Sequence, residues 1–166
     1  MTNDFPSENG GIIHSPHRTY MSKAYQEAEK ALEKGEVPVG AVIVCNNMVI
    51  GRGHNQVESL YDPTAHAEMI AISAAIEHLG EKYLTGCSLY VTLEPCPMCA
   101  GALVWSKIDR IVFGALDDTA GACGSLFNIA RNEKLNHRIE VIHGFMEQEC
   151  SSLLTEFFNR KRNSNQ

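Results

Sequence analysis

The 166-residue sequence contains no apolar run long enough to cross a bilayer. Its longest, residues 37–45, is interrupted by Pro38 and Gly40. The first eight residues carry Asp4 and Glu8 and no apolar core, so they do not form a secretory signal. Six cysteines are too sparse for a disulfide-stapled scaffold of this size. Positive charge is also in deficit: 14 Lys and Arg against 20 Asp and Glu leave a net charge of -6. Nothing in that balance advertises a nucleic-acid binder. Internal repeats and domain-splitting linkers are missing too. These absences exclude a membrane protein and point to a soluble protein of a reducing cytoplasm.

What is there reads as an ordinary globular chain, 44% hydrophobic and 20% charged. Residues 1–17 mix Gly, Pro, Ser, Asn and His without periodicity and predict a flexible N-terminal tail. Residues 18–162 are expected to form a single domain. Met21, Ala24, Tyr25, Ala28 and Leu32 recur at helical spacing over 20–34, with Gly35 as a stop. The β-branched run 39–45 predicts a buried strand, Asn46-Asn47 a turn, and 48–53 its partner. A polar loop over 54–61 precedes Asp62-Pro63-Thr64, which reads as the cap of a second helix over 65–79. Strands at 89–93, 110–115 and 139–143 alternate with helices at 95–105 and 147–160. The terminal helix places Cys150, Leu153, Leu154, Phe157 and Phe158 on one side. The resulting order, α-β-β-α-β-α-β-β-α, predicts a sheet covered by helices.

The chemistry gathers at residues 93–99, Leu-Glu-Pro-Cys-Pro-Met-Cys. Pro97 suits the first turn of a helix, where the positive end of the dipole favours thiolate. A spacing of three sets Cys96 and Cys99 on one face, within reach of one ion. His66 supplies a third ligand from another helix start. Three protein ligands and an open position mark a catalytic zinc, whereas a structural zinc takes four. Two other uses remain open: a redox pair, or a closed site completed by Cys45, Cys87 or Cys123. Glu68, two residues from His66, points about 200° away from it on a helix, so it is expected to stay off the metal and move protons. Its plain alternative is a solvated helix residue. The other histidines show no partner pattern.

His66-Ala67-Glu68 followed by Pro95-Cys96-Pro97-Met98-Cys99 resembles the signature of the zinc-dependent nucleoside and nucleobase deaminases. Within them the chain is most similar to the bacterial tRNA-specific adenosine deaminases. Glu-Val-Pro-Val-Gly-Ala at 36–41, Gly53-His54-Asn55, the segments 62–68 and 89–102, and Gly-Ala-Cys-Gly-Ser at 121–125 carry the likeness. The resemblance implies a three-layer α/β/α fold with a five-stranded mixed sheet, one Zn2+ per subunit and a homodimer. It implies hydrolytic deamination of adenosine to inosine at the wobble position of a tRNA anticodon stem-loop, by zinc-activated water with Glu68 as proton shuttle. No organic cofactor is implied. Asn55 is then expected to contact the flipped base and Asp117 the RNA backbone. Phe157, with Phe158 and the basic Arg160, Lys161 and Arg162, belongs to the helix beside the anticodon loop. The basic triplet read alone is equally a solvated helix end. Leu60-Tyr61 and Asp118-Thr119 stand where relatives carry more basic residues. A deaminase of a free base or nucleoside shares the same metal core, and a non-catalytic zinc module binding RNA or a partner is the alternative from another class.

Overall fold

The computed structural model describes residues 15–165. The predicted tail lies outside them at 1–14, while Pro16 and His17 already belong to the first helix. That helix, α1 (Pro16–Glu33), begins on proline, whose missing donor costs nothing at a helix start. It buries Met21, Ala24 and Ala28 of the expected stripe, with Ala31 beside them, whereas Tyr25 and Leu32 are only half-buried. Glu27 is buried with them, and Lys30, Arg52 and His54 surround its carboxylate.

β1 (Gly40–Cys45) turns at Asn46 and Asn47, both with positive φ, into β2 (Met48–His54). The expected polar loop after β2 contains a short helix, α2 (Val57–Leu60). Then come α3 (Ala67–Leu79), β3 (Cys87–Leu93), α4 (Pro97–Trp105), β4 (Arg110–Ala115), β5 (Glu140–His143) and α5 (Glu147–Ser164).

The five strands form one mixed sheet in the order β2-β1-β3-β4-β5. β1 is antiparallel to β2 and β3, whereas β3, β4 and β5 run parallel. Alternation along β1 divides the interior in two. Ala41 and Ile43 face α3 and α4 together with Leu89, Val91 and Phe113. Val42 and Val44 face α1 together with Tyr90 and Val112. This is the expected three-layer α/β/α arrangement. In α5, Cys150, Leu153 and Phe157 are buried, but Phe158 stays about half exposed, so the apolar side is narrower than the sequence suggests.

The contact between β2 and α3 fixes the position of the site. A Cβ on Gly53 would lie 2.2 Å from the Ala67 carbonyl, and one on Gly51 would lie 2.4 Å from that of Ala71. Glycine therefore lets the helix backbone rest directly on the strand. Among the described residues no helix is long and apolar enough to cross a membrane.

Candidate active site

α3 and α4 both begin on a residue expected to bind metal. His66 is the N-cap of α3 and Cys96 the N-cap of α4; each has an extended backbone and makes no capping bond through its side chain. Asp62 does not start α3. Its carboxylate accepts from the Thr64 N–H and hydroxyl, a local turn that keeps the chain out of the helix for four more residues.

The three side chains converge. Their ligand atoms all lie within 4.8 Å of one another, and each sulfur is 3.6 Å from His66 Nδ1. Ordinary Zn–S and Zn–N lengths at a tetrahedral angle require S···N separations of about 3.5 Å. The donor set therefore fits zinc in both spacing and chemistry. Cys45, Cys87 and Cys123 fall outside the group, so it has three members among the described residues. Cys45 and Cys87 instead face each other across β1 and β3.

Electrostatics favour a dication at this point. The Cys96 thiol is pulled down to about 4 by the hydrogen bond from Cys99, joined by His66 and opposed by burial. Its fully buried neighbour Cys99 is pushed up, because it donates to Cys96 and is desolvated. A bound cation would supply the compensation that two neighbouring thiolates need.

Glu68 is the second residue of α3 and is only 4% exposed. Burial pushes its carboxyl up to about 7, against a hydrogen bond from its own backbone N–H and the nearby His66. The expected divergence of His66 and Glu68 assumed that both were helical. His66 is extended (φ -75, ψ 153), so both side chains instead face the same cavity. Glu68 nonetheless stays outside the three-ligand group.

The cavity has a volume of about 270 Å³ and is also lined by Cys96, Asn55, Asp117, Phe157 and Lys161. The structure therefore brings together the metal candidates and all three residues expected to meet substrate. Asn55 is buried at the end of β2, and its N–H donates to the Val39 carbonyl. Asp117 Oδ1 accepts from Thr119 and Ala120 and so shapes its own loop.

Two further residues of the cavity wall, Glu36 and Glu94, were not singled out by sequence reasoning. Glu36 is fully buried and accepts from the N–H groups of Glu58 and Ser59 and from the Ser59 hydroxyl. Glu94 accepts from the N–H groups of Asp117, Cys123 and Ser125. The available signal was an acid set at the edge of an apolar strand segment, in Glu36-Val37-Pro38 and Leu93-Glu94-Pro95. Such a charge needs several donors once buried.

Known proteins share this arrangement. Residues 14–115 match the family model of the cytidine and deoxycytidylate deaminase zinc-binding region. The chain is 50% identical over 143 residues to the tRNA-specific adenosine deaminase of Bacillus subtilis (strain 168), covering 86% of this chain and 89% of that protein. It is 52% identical over 145 residues to the Aquifex aeolicus (strain VF5) protein of the same name, covering 87% and 95%. A structure from work on A-to-I editing by tRNA:A34 deaminases superposes with a TM-score of 0.79 at 42% identity, covering 82% of this chain and 99% of that one. A guanine deaminase from Nitrosomonas europaea shares the fold, with a TM-score of 0.71 at 24% identity over 89% of this chain and 86% of the other. With three candidate metal ligands converging beside a buried acid, the chain belongs to the zinc-binding cytidine and deoxycytidylate deaminase family, among its tRNA-specific adenosine deaminases.

Proposed function

We propose that the chain hydrolytically deaminates adenosine to inosine at the wobble position of a tRNA anticodon. The observation that carries this reading is the His66, Cys96 and Cys99 triad opening beside buried Glu68 into a cavity sized for one nucleoside. The tRNA-specific relatives, matched over most of their length, support the choice of substrate.

When bound, zinc supplies a Lewis acid that makes a water molecule acidic near neutrality. Glu68 accepts a proton from the attacking water and delivers it to N1 of adenine as the oxygen bonds to C6. It then takes the proton of the new C6 hydroxyl and hands it to the amino group; the C6 carbonyl forms as the C6–N bond breaks, and ammonia leaves. Burial suits Glu68 to this work, because a carboxyl poised near 7 both takes and returns protons at neutral pH. Asn55 holds the extruded base, while Asp117 and Phe157 act on the RNA around it. An anticodon base is unpaired, so extruding it costs less than from a duplex. The working enzyme is a cytoplasmic homodimer with one zinc per chain, no organic cofactor, and residues 18–162 as its catalytic domain.

A substrate panel tests the reading: anticodon stem-loop RNA with adenine at the wobble position against free adenosine, guanine and cytidine. Inosine formed in the stem-loop is the expected result. Activity on free guanine alone overturns the choice of substrate.

A further inference from the structure

A cavity of about 270 Å³ admits one nucleoside, so neighbouring nucleotides of any longer substrate must lie on its rim. One stretch of that rim has a feature the fold does not explain. Tyr61 is 96% exposed and Leu60 beside it 55%, so neither contributes a core contact. Tyr61 also holds a left-handed backbone (φ 51, ψ 37), which a bulky residue disfavours. Burial and backbone preference both argue against an aromatic residue at this position.

The segment that carries it is firmly held. Gln56 makes no side-chain cap for α2, and the carboxylate of Glu36 does so in its place, from 22 and 23 residues away. Its contacts to Ser59, one to N–H and one to hydroxyl, are both 2.7 Å. Backbone bonds from Gln56 to Ala65 and from Asp62 to Val57 close the loop on itself. The loop is also continuous with the cavity, since Val57 and Glu58 line the wall one turn before Tyr61. Its charges are acidic, with Glu58 exposed and Asp62 half-buried. A phosphate would be repelled here, whereas the face of a nucleobase would not.

We propose that the loop 56–61 is a base-stacking wall, on which Tyr61 receives the face of the unpaired nucleobase next to the deaminated one, and that Glu36 is the positioning residue holding it there. The assignment rests on the RNA substrate proposed above. An exposed aromatic ring stacks on any base without reading its edge, which suits a flanking position of variable sequence.

The test compares Tyr61→Ala and Tyr61→Phe with the parent, on anticodon stem-loop RNA. Tyr61→Ala is expected to raise KM about fivefold or more with kcat unchanged, as loss of one base–aromatic stack requires, while Tyr61→Phe stays near the parent. In a Trp105→Phe, Glu68→Ala background, Tyr61→Trp introduces an indole whose fluorescence the same RNA should quench. Glu36→Gln should raise KM without lowering zinc content, and Tyr61→Ala should add little to it. An unchanged KM in Tyr61→Ala, or an unquenched indole, overturns the stacking role, as does a changed sedimentation mass, which would make position 61 a subunit contact. Additive effects of the Glu36 and Tyr61 changes overturn the positioning role. A parent inactive on the stem-loop sinks the RNA reading and this assignment with it; an active parent beside an unaffected Tyr61→Ala sinks only the assignment.

Discussion

Asp117 donates its backbone N–H to the buried carboxylate of Glu94 at 3.0 Å, and the N–H groups of Cys123 and Ser125 complete the set. One carboxylate thereby ties the loop after β4 to the strand that leads into Cys96. Glu94→Ala would leave three N–H groups without their acceptor and should lower stability by about 3 kcal/mol. Urea unfolding of the variant measures this. A loss below about 0.5 kcal/mol would show that the loop holds itself.

Glu68→Ala separates the proton carrier from the metal ligands. The variant should keep about one zinc per chain, as its carboxylate lies outside the ligand group, and lose turnover by a factor of about 100 or more. Metal analysis beside single-turnover deamination decides it. Loss of zinc along with activity would place Glu68 on the ion.

Gly53→Ala sets a methyl group 2.2 Å from the Ala67 carbonyl, which lies in the chain between His66 and Glu68. The helix must lift, so the variant should lose about 1–3 kcal/mol of stability and bind zinc more weakly. Thermal unfolding and a competition titration with a zinc chelator report the two effects. Full retention of both would mean that side chains, and not the backbone contact, seat α3.

Burial raises the Glu36 carboxyl, but hydrogen bonds from Ser59 and Glu58 outweigh it and hold the group below the ordinary carboxylate range. A depressed folded-state value contributes stability that is fully present above the unfolded carboxylate value, about 4.3, and is lost as pH falls through the folded one. Between pH 6 and 3 the parent should therefore lose more of its melting temperature than Glu36→Gln does. Parallel melting curves would contradict this.

The metal centre was legible because each of its residues sits in a short local pattern: His66 two before Glu68, Cys96 three before Cys99, and Pro97 opening a helix. The order of strands and longer helices was legible from periodicity. α2 was not, since four residues are too few to show a period and its cap, Glu36, comes from far back in the chain. The start of α3 was misread because Asp62, a good capping residue in composition, spends its carboxylate on Thr64. Glu94 was invisible as an anchor because its three partners are backbone groups, which leave no mark in a sequence.

The direct seating of α3 on glycines 51 and 53 bears on how the protein acquires its metal. With no layer of side chains between helix and strand, His66 is registered to the sheet by the main chain itself, before any ion arrives. Small zinc domains fold only around their metal. Here a chelated sample should remain folded with its ligands poised, and zinc added back should restore it without a refolding step.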